Sequence, residues 1–210
     1  EFKNLGYLPD AIINYLMKLG ICPIEDEFFT TSLAIEKFNL KSILKSPSQF
    51  DYDKLNFINS HYLGNLNNDY IINILDKDYN LTSKKNKIEK LNNIIDIFKK
   101  RSKNFLELKN TISNYLDPNF KTSKYEKLPE ETIVIIKNFY NEIKKENNWS
   151  KQNIELFIKE FFSKNKIKFV KLGEPLRLIL TDKSKGPPIH DIFYILGKED
   201  TLKRINNFLI

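Results

Sequence analysis

Apolar residues recur at intervals of three and four along almost the whole chain, which places them on one face of an α-helix. Three such sets are Ala11, Tyr15 and Leu19; Leu91, Ile95 and Phe98; and Ile133, Ile136, Tyr140 and Ile143. No stretch of useful length alternates between apolar and polar residues as a half-buried strand would. This pattern predicts an all-α fold and excludes both sheet sandwiches and alternating βαβ architectures.

Two polar stretches of the sequence divide the predicted helices into groups. An Asn- and Gly-rich stretch at 64–68 and a polar stretch at 117–126 are typical of linkers between domains. Asp51 is predicted to cap a helix, and Pro129, Pro175 and Pro188 are each predicted to begin one. We therefore expect three consecutive helical parts.

The 210 residues are 41% hydrophobic and 29% charged, an ordinary globular composition. The single cysteine, Cys22, excludes an internal disulfide and fits a reducing, cytoplasmic compartment. No apolar run approaches the ~20 residues that a membrane span needs, so no membrane partner is expected.

The net charge of +7 is unevenly distributed. Residues 84–109 carry nine basic and three acidic side chains, and residues 123–210 carry seventeen basic and twelve acidic ones. Residues 1–83 carry a net charge of −4. A basic distal half indicates a polyanionic partner, nucleic acid first. The alternative is that 31 Lys, 25 Asn and 28 Ile reflect an AT-rich genome.

Catalytic patterns are missing from the sequence. Two histidines, His61 and His190, and one cysteine form no metal-ligand spacing. No glycine-rich loop follows a strand, so no phosphate-binding loop is expected. We predict no catalytic residue, no metal site and no cofactor in this chain.

Three longer stretches resemble one family. They are Gly6-Tyr7-Leu8-Pro9 through Leu19-Gly20; residues 46–62, from Ser-Pro-Ser-Gln-Phe to Ser-His-Tyr; and residues 175–181, followed by Pro187-Pro188 and residues 196–204. A shorter match is Arg101-Ser102-Lys103-Asn104-Phe105. Together, and in this order, they resemble bacterial-type glutamyl-tRNA synthetases, which are class I aminoacyl-tRNA synthetases.

The resemblance implies a domain plan and a larger parent protein. Residues 1–66 would be a stem-contact domain truncated at its N-terminus. Residues 67–122 and 123–210 would be two helical anticodon-binding domains. The parent would attach glutamate to tRNA(Glu), using ATP and Mg²⁺ in an N-terminal catalytic domain that lies upstream of this chain. The expected partners are that domain and tRNA(Glu), and the expected protein is a monomer.

The resemblance also assigns anticodon-binding residues. Arg101 matches an arginine that reads the third anticodon base, and Arg177 matches one that packs on the first. The turn at residues 186–189 matches in position the loop that brackets the first base, often Thr-Pro-Gly-Leu in the family, and this assigns Gly186, Pro187 and Ile189 to the site. Gly186, Pro188 and His190 depart from the family's common residues. The neighbouring Thr181-Asp182 stands where the family usually has Thr-Gly.

The basic side chains beside Arg101 are expected to contact the tRNA backbone. These are Lys99, Lys100 and Lys103. Their contacts would be salt-dependent and independent of sequence. Two alternatives stay open from the sequence: a free-standing helical adaptor that binds protein, and a trans-acting tRNA-binding factor.

Overall fold

The computed structural model describes residues 1–21, 24–43, 48–79, 85–122 and 128–210. Within these ranges it contains helices and no strand, which confirms the predicted all-α fold. The α-helices are α1 (Pro9–Leu16), α2 (Thr31–Lys37), α3 (Tyr52–Asn65), α4 (Asn68–Tyr79), α5 (Lys85–Phe98), α6 (Phe105–Leu116), α7 (Glu130–Ile143), α8 (Lys151–Lys164), α9 (Phe169–Thr181) and α10 (Ile189–Leu209). A π-helical turn, Met17–Ile21, extends α1, and a short 3₁₀ turn covers Leu40–Ser42.

The chain forms two compact units, Glu1–Ile112 and Ser113–Ile210. The division falls inside α6. At the predicted linker 64–68, α3 continues through Asn65, and only Leu66 and Asn67 separate it from α4. The first predicted linker is therefore a two-residue connection between α3 and α4. The division into domains 1–66, 67–122 and 123–210 stays a prediction.

Side-chain caps begin α3, where the sequence predicts one at Asp51, and α8. Asp51 Oδ1 accepts hydrogen bonds from the backbone nitrogens of Asp53 and Lys54 at 2.8 and 3.1 Å. Ser150 Oγ accepts one from Asn153 N at 3.3 Å at the start of α8. Each cap satisfies an amide that has no partner in the first helical turn.

The prediction that Pro175 begins a helix is wrong. Helix α9 begins at Phe169 and passes through Pro175. Proline removes one helical hydrogen bond, the one to the carbonyl of Lys171, a residue that is solvent-exposed. Burial of Leu172 and Leu176 on the same face of α9 outweighs that loss.

Within the first unit, α1 packs against α2 and α3. The core there consists of Tyr7, Ala11, Tyr15, Leu55 and Ile58. A Cβ at Gly6 would collide with the backbone nitrogen of Leu106, and Gly6 has a φ of +83°. Glycine at this position therefore permits the segment before α1 to lie directly against the start of α6.

Within the second unit, α10 packs against α7, α8 and α9. Phe139 lies at the centre, with edge-to-face contacts to Phe157, Phe161 and Phe193 at 5.8, 5.0 and 5.8 Å between ring centroids. Trp149 stacks near Phe193 and donates its indole N–H to the Phe193 carbonyl at 3.1 Å. Because Trp149 is the only tryptophan in the chain, its fluorescence reports on this unit alone.

Candidate nucleic-acid interface

The first unit holds a basic turn, residues 99–104, between α5 and α6. Neighbouring side chains fix its backbone: Asn59 Nδ2 donates to the Lys103 carbonyl at 2.7 Å, and Ser60 Oγ donates to the Ser102 carbonyl at 3.0 Å. Asn59 is fully buried, and its Oδ1 also accepts from Leu8 N at 2.8 Å. The turn is therefore attached to α3 and to the segment before α1.

Arg101 lies exposed on this turn. Its Nη1 donates to the Ile97 carbonyl at 2.8 Å, in the last turn of α5. A guanidinium has five N–H donors and a flat face that stacks on bases. The contact with Ile97 uses one donor and orients the group, and the exposed remainder is free to meet a ligand.

The three neighbouring lysines have different surroundings. Lys99 Nζ donates to the Leu66 carbonyl and to Asn68 Oδ1, both at 2.9 Å, and so holds the joint between α3 and α4. The side chains of Lys100 and Lys103 are exposed. The geometry gives Lys99 an internal role and leaves Lys100 and Lys103 accessible.

In the second unit, Arg177 lies under the loop between α9 and α10. Its Nη1 donates to the Ser184 carbonyl and its Nη2 to the Pro187 carbonyl, both at 3.2 Å. The guanidinium carbon lies 5.5 Å from the centre of the Phe169 ring. Gly186 is exposed above it, and a Cβ at this residue would lie 3.8 Å from Arg177 Cδ.

The structure thus brings Arg177, Gly186 and Pro187 together, and their contacts with an anticodon base stay a prediction. The side chains of Pro187 and Ile189 are buried, so both support the loop from beneath. Arg177 Nε is buried without a hydrogen-bond partner among the described residues. The accessible part of this site is the loop surface at Gly186 and the exposed part of Arg177.

Asp182, which the resemblance places where glycine is usual, is accommodated by its local geometry. Asp182 ends α9 in the left-handed conformation, with a φ of +58°, where glycine is the most favourable residue. Its Oδ1 accepts a hydrogen bond from Thr122 Oγ1 at 2.7 Å. This bond helps to hold the aspartate in the strained conformation at the start of the loop.

Arg204 is the residue that sequence reasoning missed. It is only 5% exposed, and it donates to the Leu180, Asn114 and Asp117 carbonyls at 2.7, 2.8 and 3.3 Å. Its guanidinium also lies 4.1 Å from the Phe120 ring centre. These carbonyls lie at or just beyond the C-terminal ends of α6 and α9, so Arg204 holds both ends. The sequence signal is an arginine on a buried stripe of α10.

Burial changes the acid–base properties of this region. It lowers the pKa of Arg204 to about 10, which still leaves the group charged at neutral pH. It raises the pKa of Tyr115, so the phenol stays neutral. Neither group lies on the accessible surface, and both belong to the support of the site.

Comparison with known proteins identifies the family. A family model described as the anticodon binding domain matches residues 64–209. The chain belongs to this family. The matched range includes Arg101 and Arg177, so both candidate arginines lie within the anticodon-binding domain.

Two curated relatives are glutamate–tRNA ligases. The chain is 33% identical, over its whole length, to glutamate–tRNA ligase 1 of Aliarcobacter butzleri, of which it covers 45%. It is 30% identical to the glutamate–tRNA ligase of Pelagibacter ubique, of which it covers 46%. These matches confirm the resemblance found in the sequence. The chain spans less than half the length of the curated relatives it matches.

A solved structure shares the fold. The glutamate tRNA ligase of Elizabethkingia meningosepticum, in complex with its amino acid, superposes with a TM-score of 0.80 at 25% identity. The match covers 99% of this chain and 42% of that one. Among the residues that the structure describes, no helix is long and apolar enough to cross a membrane.

Proposed function

We propose that this chain is the tRNA-binding part of a glutamate–tRNA ligase and that it reads the anticodon with one arginine from each unit. Its partner would be tRNA(Glu). Adenylation of glutamate with ATP and Mg²⁺ would occur in a catalytic domain outside this chain. We propose a cytoplasmic protein that is monomeric, with one stem-contact domain (1–66) and two anticodon-binding domains (67–122 and 123–210).

The observation that carries the proposal is the presentation of Arg101. It stands exposed on a turn that Asn59 and Ser60 fix, within the matched anticodon-binding range. A fixed turn lets a base contact form without the entropic cost of ordering a loop. A guanidinium recognises an unpaired base by stacking and by hydrogen bonds to its edge. We assign it the third anticodon base.

Arg177 supports the second contact. Two backbone carbonyls and the Phe169 ring hold its guanidinium, and the loop residue Gly186 leaves open space above it. We propose that the first anticodon base packs on Arg177 and Gly186, with Pro187 and Ile189 beneath the loop. Lys100 and Lys103 would contact phosphates, and Lys99 would position the turn.

Fluorescence titration with a tRNA(Glu) transcript tests the proposal. Transcripts altered at the first or third anticodon base should bind more weakly by about 1–3 kcal/mol each, the scale of one good base contact. R101A should lose discrimination at the third base only, and R177A at the first only. K137A, which removes an exposed charge elsewhere, is the matched control. Equal binding of all transcripts by the wild-type chain would refute anticodon reading.

A further inference from the structure

Helix α3 carries a second stripe of side chains beside the face that it buries in the core. The stripe has the three- and four-residue spacing of one helix face. Its members are Phe57, Ser60, His61, Gly64 and Asn65. Together with Phe28 and Lys100 they line an open pocket of about 450 Å³, within the ~300–1,000 Å³ typical of ligand sites.

One wall of this pocket is aromatic. The rings of Phe28 and His61 stack flat on each other, with centroids 3.6 Å apart and planes 3° apart. Phe57 lies 5.6 Å from Phe28 and is 58% exposed. A large aromatic side chain left this exposed beside a stacked pair offers a platform on which a planar group can lie.

The polar groups of the pocket lie on the same helix. Asn65 Nδ2 lies 3.2 Å from His61 Nε2 and donates to the His61 carbonyl at 3.0 Å. An imidazole has at least one N–H donor in either tautomer, so His61 can donate to a ligand. Ser60 adds a hydroxyl whose oxygen can still accept a hydrogen bond while it donates to Ser102.

The opposite wall is Lys100. A Cβ at Gly64 would lie 3.1 Å from Lys100 Cγ, so the glycine lets the lysine stem lie against α3. Lys100 immediately precedes Arg101, and Ser60 holds the same turn. The pocket is therefore continuous with the surface assigned to RNA above.

The lining favours a nucleotide over a protein segment. Among the described residues that line it, the pocket has one cation and no carboxylate. Unpaired bases and their phosphates are bound by groups of this kind: aromatic faces, a cation and amide donors. The acidic residues 25–27 precede Phe28, so a phosphate is favoured at the Lys100 side. We propose that this pocket binds an unpaired nucleotide of the tRNA, with its base on Phe57 and its phosphate at Lys100.

This inference rests on the proposed function, and its test separates the two. Wild-type chain, F57A and Y70A are titrated with the tRNA(Glu) transcript at several salt concentrations. Tyr70 is the matched control, since it is another aromatic residue of the first unit with 53% exposure. F57A should weaken binding by about five- to 100-fold with an unchanged salt slope, because stacking is lost and no charge is removed. Y70A should bind like the wild type.

Two further measurements identify the occupant. K100M should lower the slope of log affinity against log salt by about one. A series of transcripts is made in which each lacks the base of one unpaired nucleotide. At one position the missing base should weaken binding by the wild-type chain and should not weaken binding by F57A any further. F57Y keeps the aromatic ring and should bind with wild-type affinity, and the abasic comparison excludes a folding defect, since a misfolded F57A would still respond to the missing base.

The failures are distinguishable. If the wild-type chain does not bind tRNA saturably, the proposed function and this inference both fall. If it binds and discriminates anticodons while F57A binds as tightly as Y70A, the inference is overturned and the proposed function stands. A protein segment would then be the candidate ligand of this pocket.

Discussion

Replacing Arg204 tests whether one buried side chain supports the second unit and its loop. In R204M an apolar side chain replaces the guanidinium, so every guanidinium hydrogen bond and the contact with the Phe120 ring are lost. The carbonyls of Leu180 and Asn114, bound at 2.7 and 2.8 Å, lose their partners. The variant therefore tests the guanidinium as a whole, with its hydrogen bonds and its contact with the Phe120 ring.

The magnitude follows from those bonds. Hydrogen bonds from a charged donor contribute about 1.5–3 kcal/mol each, so the two short ones alone account for roughly 3–6 kcal/mol. The buried guanidinium of Arg204 is poorly solvated, as its lowered pKa shows, and methionine recovers part of that cost. We expect a net loss of about 2–4 kcal/mol from the free energy of unfolding of the second unit.

The assay is urea unfolding followed by Trp149 fluorescence, which reports on this unit. With a urea dependence of about 1–3 kcal/mol per molar, the midpoint should fall by at least roughly 0.7 M. R204K keeps a charge but has only one donor group, so its midpoint should lie between those of wild type and R204M. K203M removes a neighbouring exposed lysine that bonds the Pro118 carbonyl, and it should cost less than about 1 kcal/mol. A loss under ~0.5 kcal/mol in R204M would refute the assigned role.

Three other changes have defined outcomes. N59A leaves the Leu8 amide and the Lys103 carbonyl unpaired, and urea unfolding monitored by circular dichroism should show a loss of about 2–4 kcal/mol; an unchanged midpoint would contradict this. Because burial raises the pKa of Tyr115 above its ordinary value of 10.0, the unfolded state loses that proton first. Stability monitored by Trp149 should hold below about pH 10 and fall above it, and less steeply in Y115F. K99M should lower the stability of the chain and leave the salt slope of tRNA binding unchanged. K103M should lower that slope by about one and leave the stability unchanged. The reverse pattern would make Lys99 the phosphate contact.

Local signals predicted much of the fold. The spacing of apolar residues predicts the helices, and Asp51 begins α3 as its capping chemistry indicates. Gly197, with a φ of +77°, interrupts α10, as expected of the residue type that most readily adopts a positive φ. These features depend on interactions between residues a few positions apart, which a sequence displays directly.

Pro175 shows where local reasoning fails. Its missing N–H is a local signal for a helix start, but the residue at which the helix begins depends on the burial of its side chains against other elements. Lys99 is a second case: in the sequence it is one more lysine in a basic run, and in the fold its ammonium binds two oxygens some thirty residues away. Long-range partners of this kind leave no periodic signal.

In the candidate site too, some residues could be predicted from the sequence and others could not. Arg101 and Arg177 could be proposed from the sequence because their neighbours in the chain form recognisable stretches. The groups that position them could not, since Asn59, Ser60 and Arg204 act across 24 to 90 positions of sequence. Each proposed base contact thus depends on polar residues that do not themselves contact the anticodon, and two of them, Asn59 and Arg204, are buried. Substituting Asn59 or Arg204 should therefore weaken anticodon discrimination by loosening a loop, whereas substituting Arg101 or Arg177 removes the contact itself and leaves the loop in place.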